Sequence, residues 1–512
     1  MGATSLSPMQ LFVAAALSSL LMWASFPPLD WGFLIFIAPT PFLWAVRRAR
    51  TPREAGWLGF TFGALFWGAM LSWIYVLGAV AWFPLTAAMG GYAALYALLM
   101  YLARNWTPWR WWLMAVGSWA AWEFIRARWP FGGFPWGSVG YPIGTLDWPR
   151  GAAQWIGPTG WGVVVIAFAA SLVLATEEEG DRRWVELSAG VIMALTILGA
   201  IWGPSAGGKP VQVAIVQGNS PCPRVHCPAE KQQIYNNHLR LTRSIPVSEG
   251  TGDIDLVVWA EDSFGGAYNP TFNTEVASQM AAEAGRLGAY LIAGGTRPAG
   301  PGLFDNYNIV ISPEGTVVGE YLKTHPVPFG EFVPFRAILR FIPELDEVPN
   351  DMVRGPGPVV FPLDVDGDEV VLGSVISFEG AFVRTVRSEV NAGARILVVA
   401  TNEGSFGRGS ASDQLIGMVR MIAPSLGIDI AHAAVTGKSV FISADGSLGE
   451  ATELFEEAVL TGVLREQRSP RTFYAITGDW LQVGMMLVAA SLLIASRNPQ
   501  RGFKIRPERR RR

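Results

Sequence analysis

The chain has 512 residues, of which 50% are hydrophobic and only 16% charged, and it carries 22 tryptophans. That balance argues against an ordinary soluble protein and fits one with many buried apolar spans. A net charge of −3 offers none of the basic surface that nucleic acid requires, so nucleic acid is excluded as an expected partner.

The apolar excess is uneven. Residues 1–203 and 480–496 contain no lysine, whereas 209–472 reads as an ordinary globular sequence. A hydrocarbon core ~30 Å thick needs about 20 apolar residues in helix. Eight segments are predicted to span: 10–26, 31–46, 56–78, 83–103, 111–126, 160–175, 188–203 and 478–496. The segments 31–46, 111–126 and 160–175 are short, and tilt with interfacial tryptophans absorbs the difference. The first twenty-five residues lack a positively charged start and a second apolar run follows at once, so they are expected to be an uncleaved first span, not a signal peptide.

Orientation follows from the distribution of basic residues. The loop after the second span holds Arg47, Arg48, Arg50 and Arg53, and the loop after the fourth holds Arg104 and Arg110. Arg182 and Arg183 follow the sixth, and the C-terminal tail carries Arg497, Arg501, Lys504, Arg506 and Arg509 to Arg512. All four lie on one side if both termini are cytoplasmic, which puts 209–472 outside. The loop 127–159 dissents with Arg128 and Arg150, and four loops outweigh one. Its start, Arg126-Ala-Arg-Trp-Pro-Phe-Gly-Gly-Phe-Pro-Trp-Gly, is too apolar for a solvent loop. It is expected to pack against the bundle as a re-entrant or interfacial segment; the alternative is a lipid-facing arm with Arg126 near a phosphate.

From Val211 the pattern changes to short β-rich runs alternating with helical stretches. Strands are predicted at Val211–Val216, Ile254–Trp259, Tyr290–Ala293, Asn308–Ile311, Val317–Leu322, Val370–Ile376 and Ile396–Ala400. Helices are predicted at Lys231–Ser244, Phe272–Leu287, Phe382–Ala392 and Ser412–Ala423. Alternation of this kind indicates a layered α/β domain. Its two cysteines, Cys222 and Cys227, have no second Cys or His pair beside them for zinc, and fit a small disulfide or two free thiols equally well.

Reactive residue types follow the strands. Glu261 comes two residues after Trp259, Lys323 directly after Leu322, Ser377 and Glu379 after Ile376, and Thr401-Asn-Glu after Ala400. In open α/β sheets ligands bind beyond the carboxyl ends of strands. A carboxylate, an amine and a hydroxyl so placed make a coherent base, electrophile and nucleophile.

Three motifs carry a resemblance: Val-Val-Trp-Ala-Glu261, Gly-Glu-Tyr-Leu-Lys323-Thr-His-Pro-Val-Pro-Phe-Gly-Glu331, and Gly-Ser-Val-Ile-Ser377-Phe-Glu379. Together they resemble the carbon–nitrogen hydrolase (nitrilase) superfamily. With seven spans before and one after, and with Ala24-Ser-Phe-Pro-Pro-Leu and Gly478-Asp-Trp in the membrane part, nearly the whole chain is similar to the apolipoprotein N-acyltransferase family. The resemblance implies a nitrilase-like αββα sandwich at 209–472, outside the cytoplasm. It is flanked by a bundle at 1–208 and by the eighth span and basic cytoplasmic tail at 473–512. It also implies an enzyme of the bacterial cytoplasmic membrane that needs no cofactor or metal. Such an enzyme takes an acyl chain from a phospholipid, usually phosphatidylethanolamine, and passes it to the N-terminal amine of a diacylated apolipoprotein. The site is then expected just above the bilayer, because both substrates are anchored there.

Carried over by motif position, Glu261 is the general base, Lys323 the oxyanion partner and Ser377 the nucleophile. Glu331 orients Lys323, and Glu379 props the nucleophile turn. Taken singly, Glu261 or Glu331 would more often be a surface carboxylate; the register of Glu261, Lys323, Glu331 and Glu379 with the family motif favours the site. The sequence departs from the family at Ser377, where cysteine is usual. Ala260 also replaces Pro, Val435 replaces Asn, and Thr401-Asn-Glu-Gly-Ser-Phe-Gly replaces Thr-Asn-Asp-x-Trp-Phe-Gly. A serine ionises far less readily than a thiol of pKa ~8.5, and its ester is a poorer acyl donor than a thioester. The serine favours a second reading, a catalytically weakened or inactive homologue that binds lipoprotein or phospholipid; a third is an amidase-like hydrolase, against which the spans count.

Overall fold

Every segment predicted to span is helical over most of its length. The computed structural model describes residues 7–177, 182–222, 227–247, 254–467 and 471–496, so the basic tail read as cytoplasmic lies outside the described residues. Two compact units form, one from 1–203 with 477–512 and the other from 204–476.

The first unit contains α1 (Pro8–Ala24), α2 (Thr40–Arg47), α3 (Pro52–Met70), α4 (Ala79–Ala103), α5 (Pro108–Arg126), α6 (Ala153–Ala175), α7 (Arg183–Trp202) and, returning, α12 (Trp480–Ser496). Local chemistry fixes the starts. Ser7 caps α1 and Gln10 reaches back to the Ser7 N–H, while Thr51 accepts from Glu54 N at the head of α3. The stretch 31–46 is not one helix. A 3₁₀ turn, Gly32–Phe36, precedes α2, and Pro39 and Pro41 stand at the break where helical N–H donors are missing. The stretch 56–78 likewise divides into α3 and a 3₁₀ turn, Ser72–Leu77, and α6 kinks at Gly157-Pro158.

Among the described residues, α4, α6 and α7 are long and apolar enough to cross a membrane; α1, α12 and 32–47 are apolar but shorter. Leu187, Met193 and Ile201 of α7 are each more than 60% exposed. A helix so bare on its apolar side suits lipid, not water. The aromatic stretch after α5 folds back on its own unit. Arg126, fully buried, donates to the carbonyls of Phe134 (2.6 Å) and Trp136 (2.5 Å) and to Ser138 Oγ (2.8 Å). Val139 N donates to Glu123 Oε1 at 3.0 Å. With both terminal guanidinium nitrogens engaged by the loop, Arg126 packs the segment, as the packing reading expects.

The second unit holds two sheets. The first runs β12 (Ala458–Arg465), β1 (Pro210–Gln217), β2 (Leu256–Trp259), β3 (Tyr290–Gly300), β4 (Leu303–Ile311), β5 (Val317–Leu322). The second runs β11 (Leu448–Ala451), β10 (Val440–Ile442), β9 (Asp429–Ala434), β8 (Ile396–Thr401), β7 (Asp368–Ile376), β6 (Val360–Val365). Central strands are parallel, β1 with β2 and β3, and β7 with β8 and β9. Parallel strands are covered on both faces, which is why β2 and β8 are buried at every residue.

Strand alternation sorts the core into layers. Val211, Val213 and Ile215 of β1 meet Leu372 and Ile376 of β7 and Val398 of β8 between the sheets. Ala214, Val216, Val257 and Trp259 point the other way, to Tyr235 and Leu239 of α8 (Glu230–Arg243) and Val276 and Met280 of α9 (Thr274–Leu287). Helices α10 (Val383–Ala392) and α11 (Ala411–Leu426) cover the second sheet. The result is a nitrilase-like α–β–β–α domain. Cys222 and Cys227 are joined in a disulfide, which decides between the two states left open by spacing.

Candidate active site

Strand ends from both sheets supply the site. Lys323 is 1% exposed and directly follows β5; its Nζ donates to Glu261 Oε1 at 3.1 Å and to Glu331 Oε1 at 2.7 Å. Burial opposes the ammonium, but the two carboxylates outweigh it and hold the lysine pKa above its usual value. An ammonium has three N–H donors, so one remains beyond the two carboxylates.

Glu261 sits two residues past β2. Its Oε1 also accepts from Asn306 Nδ2 at 2.7 Å, and Oε2 accepts the backbone N–H of Asn402 at 2.9 Å. Burial pushes its carboxyl up, Lys323 opposes that, and the negative charges of Asp262 and Glu331 add to it. The rise makes it a stronger base than a free glutamate. A carboxylate has about four acceptor positions, and these three bonds leave one on Oε2. Asn306 holds the second carboxylate too, at 3.1 Å from Glu331 Oε1, while Val327 N donates to Glu331 Oε2 at 2.8 Å.

Ser377 directly follows β7, opening the 3₁₀ turn Ser377–Ala381, with φ +52°, a left-handed conformation unusual for a residue with a Cβ. Ile376 pairs with Ala400, so the serine falls beside the end of β8, and Thr401 Oγ1 donates to Ser377 Oγ at 3.4 Å. Ser377 is half-buried, whereas Glu261, Lys323 and Glu379 are buried.

Glu379 holds this turn against the lysine segment. One oxygen accepts from Thr324 N (2.7 Å), Thr324 Oγ1 (2.7 Å) and His325 N (2.9 Å). The other accepts from Tyr321 Oη (2.8 Å) and Ile376 N (2.9 Å). Burial pushes this carboxyl up as well, against the pull of those donors. Of the five residues expected, Glu261, Lys323 and Glu331 touch directly, and Ser377 and Glu379 join them through Thr401, Thr324 and Ile376. Sequence reasoning missed Asn306 and Tyr321, which lie inside strands, and the backbone role of Asn402. Thr401-Asn402 after a buried strand was the available signal.

A base, a charged donor and a hydroxyl on a strained turn are equipped for acyl transfer through a covalent ester. The family profile described as carbon-nitrogen hydrolase matches residues 212–469, and that described as apolipoprotein N-acyltransferase N-terminal domain matches residues 18–171. The apolipoprotein N-acyltransferase of Geobacter metallireducens is 30% identical over 513 aligned positions, covering 95% of either chain. That of Mycolicibacterium smegmatis is 28% identical and covers 88% of this chain and 79% of its own. That of Nitrosomonas europaea is 27% identical and covers 90% and 92%. The chain belongs to the apolipoprotein N-acyltransferase family, a membrane branch of the carbon–nitrogen hydrolases.

Proposed function

We propose that the protein moves an acyl chain from a membrane phospholipid to the N-terminal diacylglyceryl-cysteine amine of apolipoproteins, through an ester on Ser377. Glu261 takes the Ser377 hydroxyl proton as Oγ adds to the phospholipid ester carbonyl. The free N–H of Lys323 faces the tetrahedral oxyanion. Collapse expels the lysophospholipid alkoxide, which regains the proton from Glu261. The acceptor amine then adds to the Ser377 ester, Glu261 removes its proton, and that proton returns to Ser377 Oγ as the amide is released. The observation that carries this reading is Lys323 held between Glu261 and Glu331 beside the strained Ser377 turn.

The eight helical segments form a polytopic bundle in the bacterial cytoplasmic membrane, with 209–472 outside. The arginine loops support that orientation, and so does a disulfide at Cys222–Cys227, which persists in an oxidising compartment. Ser377 itself favours a second reading, a slow or inactive homologue that still binds phospholipid or lipoprotein. Transfer from phosphatidylethanolamine to a diacylated lipopeptide, compared between the wild type and Ser377→Ala, separates them. Transfer that Ser377→Ala abolishes supports the enzyme. Retained lipid binding with no transfer supports the homologue, and transfer untouched by Ser377→Ala removes Ser377 as nucleophile.

A further inference from the structure

Glu261 is followed by a second constrained residue. Asp262 has φ +62°, and both carboxylate oxygens are tied: Oδ1 to Lys231 Nζ at 2.9 Å and Oδ2 to Asn402 Nδ2 at 3.0 Å. Asn402 is the residue whose backbone N–H holds Glu261 Oε2, and its own Oδ1 accepts from Gly404 N at 3.1 Å. Lys231 is one of only five lysines in the chain and lies in the first turn of α8. Aspartate enters the left-handed region more readily than most residues with a Cβ, and here a helix and the loop after β8 hold it there from two sides. Nothing in the transfer chemistry uses this lysine–aspartate pair directly.

We propose that Asp262, clamped by Lys231 and Asn402, is a positioning residue that aims Glu261 and sets its strength as a base. The inference rests on the reading of Glu261 as the base. The charged groups that act on Glu261 are Lys323 and Glu331 from the segment after β5, Asp262 on its own turn, Lys231 from α8 and Glu403 from the loop after β8. Within that set Lys231 and Asp262 offset each other. Removing the aspartate charge leaves Lys231 acting alone and favours ionised Glu261. Removing the lysine charge leaves Asp262 acting alone and disfavours it. The two substitutions therefore act on Glu261 with opposite sign, which loss of structure does not.

The test is single-turnover acylation of Ser377 by phosphatidylethanolamine in the full-length protein, followed by intact mass across pH. Asp262→Asn should move the acid limb of the rate to lower pH, and Lys231→Met should move it to higher pH, each by about half a unit or more. Both should lower the maximal rate at least several-fold with the donor concentration for half-saturation unchanged, and Lys231→Arg should restore the wild-type limb. Limbs that stay in place or move together, while Glu261→Gln abolishes acylation, overturn the positioning role and leave the base intact. Acylation that survives Glu261→Gln overturns the base reading and this inference with it.

Discussion

Asn402 donates its backbone N–H to Glu261 Oε2 at 2.9 Å, a bond from the residue after β8 in one sheet to the second residue after β2 in the other. The proposed base is therefore held by the sheet that carries the proposed nucleophile. Glu261→Gln keeps the side-chain shape and removes the proton acceptor. Acyl transfer should fall by about 10²–10⁴, the usual share of a general base. In the wild type, activity should be lost as pH falls, along an acid limb that lies above the ordinary glutamate pKa of ~4.3, because burial raises Glu261 and only its ionised form accepts a proton. A pH–rate profile with its acid limb at or below that value would contradict the assignment.

Lys323 neutralises two carboxylates in a buried position, so its removal has two consequences. Lys323→Met should lower transfer by about 10²–10³ through loss of the oxyanion donor. It should also destabilise the domain by about 3–5 kcal/mol, because Glu261 and Glu331 are left uncompensated. Thermal unfolding in detergent checks the second effect. Lys323→Met together with Glu331→Gln should recover part of the stability and none of the activity.

Glu403 is buried in the loop after β8, and burial pushes its carboxyl up to about 7. The folded state keeps its proton where the unfolded chain has released it. Its contribution is therefore fully present below pH ~4.3 and is lost as pH rises through about 7. Glu403→Gln should remove that slope and make the protein more stable than the wild type at pH 8, by about 1–3 kcal/mol. Urea unfolding at pH 5 and pH 8 measures it; equal wild-type stability at both, with no gain from Glu403→Gln, would refute the assignment.

The placement of 209–472 outside the cytoplasm is open to labelling. In intact spheroplasts, a membrane-impermeant reductant followed by an impermeant maleimide should modify Cys222 and Cys227. Modification only after lysis would reverse the topology.

The fold was legible where side-chain alternation is strong. All seven predicted strands and all four predicted helices of the α/β domain are present, because β-branched runs such as Leu256-Val-Val-Trp and Ile396-Leu-Val-Val are bounded by turn residues. Strands β6, β9, β10, β11 and β12 were not legible. Pro362 and Asp364 interrupt β6, Asp429-Ile-Ala-His-Ala-Ala in β9 is built of small residues, and β11 and β12 carry exposed edges. The break in 31–46 was missed although Pro39 and Pro41 mark it. In the site, residues after strand ends were visible, but Asn306 acts because β4 brings it between Glu261 and Glu331 on the first sheet, and Tyr321 only because the two sheets face each other. No spacing in the sequence encodes that meeting.

The central claim is a covalent acyl carrier at position 377, and the Ser377→Cys protein tests it most directly. A thiol ionises more readily than a hydroxyl and its thioester is the better acyl donor. Intact mass spectrometry after incubation with phosphatidylethanolamine should show one added acyl group that maps to position 377. A diacylated lipopeptide should discharge it, and turnover should exceed that of the wild type. The adduct should be absent from Ser377→Cys combined with Glu261→Ala or with Lys323→Ala. A folded, lipid-binding Ser377→Cys protein that forms no adduct and transfers nothing would contradict the account.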